Sequence, residues 1–369
     1  MKVKAVYGIA VIIVLFFSCP LATAQKSVYR TNYKAYSSEL LSMAEKGDVR
    51  AMNDLGSCYD RGSGVAQNRE EAFKWFKKSA EKNNLLAQYN LGLYYEKNYV
   101  KADDTDPNLY FAITSNPLKS PNLVAARHWY LKSAEQGFLG AMMKAAIYLD
   151  QGTGGEKDFD KAQFYYEQLV KTIPNAYYYL RIGKIAEDKG DVSKAVANYE
   201  KAMGMGDCVS CILLGALYQN GTKVSKDLSK AFDCYSKATE LNYPLGYYLR
   251  GNMYFRGDYV RQDYEKAFSD FKKAADMGCV EALCSMGFES YSGEHIEKNY
   301  GDAVYYFEKA LKVKHLPDVA KGSVLMKLSS CYRYGLGVAT DVQKANELIK
   351  EAEKYGNADA RALQQWLNH

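Results

Sequence analysis

One nine-residue phrase recurs along the chain, and its spacing constrains the fold more than any other feature. It reads AMNDLGSCY from Ala51, AQYNLGLYY from Ala87, SCILLGALY from Ser210, GYYLRGNMY from Gly246 and ALCSMGFES from Ala282, with a looser VLMKLSSCY from Val324. Ala51 to Ala87, Ser210 to Gly246 and Gly246 to Ala282 are each 36 residues, and weaker copies from Ala141 and Tyr178 restore the series. A fixed period of about 20–50 residues marks an array of like units, each burying its apolar face against its neighbours. The 369 residues therefore read as one long array and not as two or three unrelated domains.

Counting places from the first residue of each copy, further columns hold. Glycine stands at place eleven (Gly62, Gly152, Gly221, Gly257, Gly293, Gly335) and a branched apolar residue at fourteen (Val65, Val224, Val260, Ile296, Val338). Asp or Asn stands at seventeen (Asn68, Asp158, Asp227, Asp263, Asn299, Asp341) and Ala at twenty-one (Ala72, Ala162, Ala231, Ala267, Ala303, Ala345). Apolar residues four apart in the opening phrase give one helical face. The Gly inside that phrase costs a lone helix about 1 kcal/mol against Ala, which makes sense where a neighbouring helix crosses closely. The Gly at place eleven suits a left-handed helix terminus, the branched residue pins the loop, and Asp or Asn caps a second helix. Ala and the aromatic four places on (Ala72/Phe76, Ala231/Tyr235, Ala267/Phe271, Ala303/Phe307) supply that helix's buried face. Each copy is thus a helix–loop–helix unit.

The full pattern, best written at Ala51–Asn84 and Gly246–Gly278, resembles the Sel1-like repeat, a relative of the tetratricopeptide repeat, over nearly all of the chain in about eight copies. That resemblance implies an all-α, right-handed superhelical solenoid of antiparallel helix pairs, generally used as an adaptor or scaffold for other proteins. The Tyr178 copy departs from it: AEDKGDVSKAVANYEKAM has the short turn of an ordinary tetratricopeptide unit.

The ends differ from the interior. Residues 1–24 read as a signal peptide, with Lys2 and Lys4, an apolar run from Ala5 to Phe17, and small residues at Ala22 and Ala24. A lipid anchor on Cys19 is the rival reading, and Phe16 and Phe17 before it make a poor lipobox. Residues 25–50 read as an N-terminal capping helix, 51–357 as the array, and 358–369 as a C-terminal capping helix. An insertion at about 97–122 adds 18 residues to the second copy, and six more surround VKHLPD before Val324. No later segment is long and apolar enough for a transmembrane helix. Export to a bacterial periplasm or cell surface is the expectation.

Composition narrows the function classes. The formal charge of +5 falls to +3 without Lys2 and Lys4, and acids and bases are interleaved, so no basic stripe points to nucleic acid. His128, His295, His315 and His369 are scattered without ligand spacing, and Asp103, Asp104 and Asp106 lack the order of a calcium loop. No metal, cofactor or catalytic set is expected, and the chain reads as a non-enzyme. Seven cysteines follow the leader. Cys58 and Cys331 read as small buried hydrophobes, while Cys208 and Cys211 in CVSC have redox spacing at a helix start, where a thiolate is favoured.

If the first helices line an inner wall, as the tetratricopeptide likeness implies, places two, six, nine and ten face a groove. These are Asn53, Asp60, Arg61, Tyr89, Glu96, Lys97, Gln219, Asn220, Tyr248, Asn252, Phe255, Arg256, Phe288, Tyr291, Arg333 and Tyr334. Tyr, Phe and Arg among amides suit binding hot spots, though such rings also pack between helices. The expectation is a scaffold gripping a peptide or a partner's helix in this groove. A small-molecule or glycan receptor in the envelope, or a redox or accessory protein using Cys208 and Cys211, are the alternatives.

Overall fold

The computed structural model describes residues 35–97, 122–314 and 316–367. The described residues form eighteen α-helices and no strand. A short α1 (Ser38–Glu45) precedes eight pairs. These are α2 (Val49–Arg61) with α3 (Arg69–Glu81), α4 (Leu85–Glu96) with α5 (Leu123–Glu135), α6 (Leu139–Gln151) with α7 (Phe159–Thr172), and α8 (Ala176–Asp188) with α9 (Val192–Gly204). Then come α10 (Cys208–Asn220) with α11 (Leu228–Glu240), α12 (Pro244–Arg256) with α13 (Tyr264–Asp276), α14 (Val280–Ser292) with α15 (Tyr300–Lys312), and α16 (Asp318–Tyr334) with α17 (Val342–Lys354). A last helix, α18 (Ala358–Leu367), follows. Two compact units result. One runs to Ala145 and takes in Gly152–Glu156; the other holds Ala146–Gln151 and everything from Lys157.

The repeat columns act as their chemistry requires. Asn68, Asp158, Asp227, Asp263, Asn299 and Asp341 each cap a second helix, their side-chain oxygens accepting from backbone N–H groups of the first turn. Such a cap is worth about 1 kcal/mol. The spacing did not reveal that Asp48, Asn84, Asn175 and Asp207 cap first helices in the same way. Gly62, Gly221, Gly257, Gly293 and Gly335 end first helices with φ between 67° and 72°, where a Cβ would clash.

Within a pair the helices run antiparallel. The C-terminal end of α3 reaches the start of α2, with Ser79 Oγ donating to the Val49 carbonyl at 2.6 Å. Midway along, Phe76 presses on Gly56. Ser133 of α5 repeats the first contact on Leu85 of α4 at 2.6 Å. Successive helices also pack on one another, α3 on α4, α11 on α12 and α13 on α14 among them. The aromatic cores lie between these layers; Tyr130, Tyr166, Tyr199, Tyr235 and Phe307 are fully buried.

Two local departures stand out. Of the six extra residues before Val324, four lengthen a helix: α16 has 17 residues where its sister first helices have 12 or 13, and five residues separate it from α15 where three separate α14 from α13. At place thirteen, Gly64, Gly154 and Gly337 have φ of 75°, 69° and 72°, and Tyr259 holds the same left-handed conformation at 68°. For a residue with a Cβ that conformation costs roughly 1–2 kcal/mol.

Candidate functional site

Six of the eight first helices carry a glycine at place five, and it is a seat for a ring; α6 has Ala146 there and α16 has Ser329. A Cβ on Gly56 would lie 2.8 Å from Phe76, on Gly92 2.6 Å from Tyr130, on Gly183 2.7 Å from Tyr199, and on Gly251 2.8 Å from Phe271. Where the seated ring is tyrosine, its hydroxyl reaches place nine of its own copy. Tyr130 donates to Glu96, Tyr166 to Asp150 at 3.3 Å, Tyr199 to Glu187 at 2.8 Å and Tyr235 to Gln219 at 2.8 Å. Where the ring is phenylalanine no such bond forms: place nine is Phe255 beside Phe271 and Tyr291 beside Phe307, while Asp60, beside Phe76, accepts instead from the Tyr94 hydroxyl. Place three of the following copy closes the same contact: Lys144 donates to both Glu96 oxygens at 2.8 and 2.9 Å, and Arg181 grips Asp150 with two bonds of 2.7 Å. Charge at place three was the readable signal for these partners, and the groove expectation passed over it.

The expected groove residues therefore divide. Glu96 and Gln219 are engaged within the wall, and Asp60 accepts from the Tyr94 hydroxyl. Buried Asn53 accepts from Asn90 at 3.1 Å, and Arg333 donates to Asn346 at 2.6 Å. The rings are packing groups. Tyr89 lies against Tyr130 and Phe138, with centroids 5.8 and 5.1 Å apart. Tyr248 tilts onto Phe271 at 5.6 Å, and Asn252 donates back to the Tyr248 carbonyl at 3.0 Å. Phe255 is ringed by Tyr264, Phe268, Phe271 and His295. Phe288 meets Phe307 at 5.2 Å, and Tyr291 meets Tyr300 at 5.3 Å with the Lys327 ammonium 4.9 Å from its own ring. At places two, six and nine the large rings are half-buried and pack between layers, because these helices are short and stacked closely.

Place ten behaves otherwise. Arg61, Lys97, Gln151, Asp188, Asn220, Arg256, Ser292 and Tyr334 all end first helices with exposed side chains, Tyr334 at 70%. In the first unit, Arg61 and Lys97 flank a small open pocket whose lining includes Asp60, Ser57, Asn90 and Tyr94. Three residues chosen from the repeat alone thereby meet in one concavity.

The thiols are quiet. Burial, and then the Asp207 charge, push the Cys211 thiol up to about 12, and the same two causes raise Cys208. Asp207 caps this helix start, so the thiolate expected at CVSC is disfavoured there. Cys58 and Cys331 are buried, and all seven described cysteines are free thiols. Among the described residues no group of three or more His, Cys, Asp and Glu side chains is placed to hold a metal. Likewise, no described helix is long and apolar enough to cross a membrane. Asp103, Asp104, Asp106, Cys19, His315 and His369 lie outside the described residues.

The family model for the Sel1 repeat matches residues 49–84, 85–105, 117–138, 140–170, 209–243, 244–279, 280–313 and 323–354. The segments leave 171–208 between them, where the Tyr178 copy has its short turn. A sel1-like repeat-containing protein of Acanthamoeba polyphaga mimivirus is 35% identical over 106 residues, covering 26% of this chain; the chain spans 20% of that relative's length. Among solved structures, a Sel1 repeat protein from Oxalobacter formigenes superposes with a TM-score of 0.71 at 22% identity, covering 90% of each chain. That second likeness concerns the fold.

Proposed function

Because the chain belongs to the Sel1 repeat family, whose arrays typically serve as protein-interaction scaffolds, we propose that it is a non-enzymatic, exported scaffold binding an extended peptide or a partner's helix. The contacts lie along the exposed ends of its first helices. One observation carries this reading. Along the first helices, places two, six and nine are buried or half-buried, whereas place ten is exposed in all eight copies. That row is rich in Arg, Lys, amide and Tyr, groups that grip a peptide backbone or an acidic side chain without needing a deep cavity. The apolar stretch before Ala24 supports export.

The test has two arms. Fractionation of cells should place the protein outside the cytoplasm, and recovery in the cytoplasmic fraction contradicts export. Mixing the purified protein with solubilised envelope should move it into a larger, defined complex on size-exclusion chromatography. Failure to form any complex with envelope, cytoplasmic or medium proteins contradicts the scaffold.

A further inference from the structure

We infer that Tyr259 is a partner-contact residue and that, with Arg256 and Arg261 beside it, it forms a docking point for an acidic peptide segment, a refinement that rests on the scaffold reading above. The loop from Gly257 to Gln262 joins α12 to α13. Its sister loops show the strain-free solution, because Gly64, Gly154 and Gly337 adopt the same left-handed backbone at the same place. Glycine does so without cost, and a side chain pays for it. The other two described non-glycine residues with positive φ, Asn83 and Asn242, are of the type that tolerates this region. Tyr259 is the bulky exception among the described residues.

Burial does not repay that strain. The ring touches Phe232, with centroids 6.0 Å apart, yet the residue remains 58% exposed. Three half-exposed tyrosines elsewhere in the same unit are covered from within the chain. The Lys266 ammonium sits 5.5 Å from the Tyr254 ring, Lys321 4.2 Å from Tyr355 and Lys344 3.8 Å from Tyr332. No described Lys or Arg lies over Tyr259. A strained, bulky, uncovered side chain is the kind of outlier that concentrates at binding sites.

The neighbouring charges indicate the partner. Arg256 and Arg261 are exposed, and neither joins an ion pair among the described residues. Asp258 between them is half-buried and is the single acid on the loop, since Asp263 is held by Lys266 at 3.1 Å. Two guanidiniums suit carboxylates, which they bind through paired N–H donors, while the phenol ring offers an apolar face to an adjacent side chain. A basic segment would meet two like charges. The loop is also held in place: Gln262 donates to the Phe255 carbonyl at 2.9 Å and to the Tyr264 hydroxyl at 3.0 Å, and the Asp258 N–H bonds the Met253 carbonyl at 3.0 Å. A fixed loop loses little entropy on binding.

Fluorescence anisotropy with two labelled twelve-residue probes tests the proposal, one alternating Glu with Leu and one alternating Lys with Leu. The wild-type protein should bind the acidic probe and discriminate against the basic one. Tyr259→Gly should melt at or above the wild-type temperature and weaken acidic-probe binding about ten-fold; Arg256→Gln with Arg261→Gln should weaken it at least as much. A lower melting temperature in Tyr259→Gly with unchanged binding overturns the proposal, because the ring then serves packing on Phe232. Equal binding of both probes by the wild type overturns the partner class. Should Tyr259→Gly fold too poorly to assay, the two exposed arginines decide: undiminished binding without them is equally fatal. Envelope complexes that survive all these substitutions would leave the scaffold standing while this docking point falls.

Discussion

Gly215 and Tyr235 are fitted to each other twice over. A methyl group on Gly215 would lie 2.5 Å from the ring's Cε1, and the hydroxyl of that ring donates to Gln219 Oε1, one helical turn further on, at 2.8 Å. Glycine in mid-helix is therefore a packing requirement here, in spite of its poor helix propensity.

Gly215→Ala should accordingly destabilise the protein by about 1–3 kcal/mol, although alanine is the better helix former by about 1 kcal/mol. Gly204, in the last turn of α9, meets nothing within 4 Å. Gly204→Ala should be neutral or slightly stabilising. Guanidinium unfolding followed by helical circular dichroism compares the two, and equal effects would show that the ring does not need its seat.

The Tyr199–Glu187 pair predicts losses at both ends of the pH scale. Burial opposes the Glu187 charge, but bonds from Lys223 and Tyr199 outweigh it and hold the carboxyl below its ordinary value; Glu167 is lowered by Lys194 and Gln163 against the same opposition. A depressed carboxylate adds stability above its unfolded pKa that is lost as pH falls through the folded one. Wild type should therefore lose more stability between about pH 5 and 3 than Glu167→Gln with Glu187→Gln. Burial raises the Tyr166, Tyr199 and Tyr235 phenols, with a bond to Glu187 adding to the effect at Tyr199. Their contribution is present below the unfolded value, about 10, and is lost as pH rises. Part of the phenolate absorbance should appear only as helix is lost; complete ionisation with the helices intact would refute this.

Arg250 and Asp270 form a bidentate pair with bonds of 2.8 Å, and a third Arg250 nitrogen donates to Thr239 Oγ1 at 2.8 Å. The preceding copy puts Leu214 and Cys234 at these places. Asp270→Ala should cost about 3 kcal/mol by stranding a largely buried guanidinium. Arg250→Leu with Asp270→Cys should recover most of that loss in chemical denaturation. A double variant as weak as the single would mean that the pair does more than replace a hydrophobic contact.

Thiol titration gives a fourth outcome. Cys211, Cys234 and Cys284 are pushed up to about 12 and Cys331 to about 11, burial being the largest cause in each case. Ellman's reagent at pH 8 should label these four slowly in the native protein and quickly in denaturant. A fast native phase abolished by Cys211→Ala would restore a redox role for CVSC.

Much of this was legible because the repeat columns encode local rules. Asp263 caps α13 and Gly257 ends α12 wherever the rest of the chain lies, since both act within one turn of backbone. The packing of Phe255 and Tyr248 was not legible because it depends on the layer above: Phe255 meets Tyr264 and His295 across the next loop, contacts that no spacing within one copy expresses. Arg256, one residue further, ends the helix and escapes that covering. Tyr259 carries no helical periodicity, and its meaning emerges only when its φ is set beside those of Gly64 and Gly337.

The central claim, that partners dock on the exposed ends of the first helices, is tested most directly by site-specific photocrosslinking in living cells. A photoreactive residue would be placed singly at Arg61, Asn220, Arg256 and Tyr334, and at exposed Phe164 and Tyr305 on second helices α7 and α15. The prediction is one discrete partner band from the first-helix positions and none from Phe164 or Tyr305. Bands only from Phe164 and Tyr305, or an absence of bands everywhere, would contradict it.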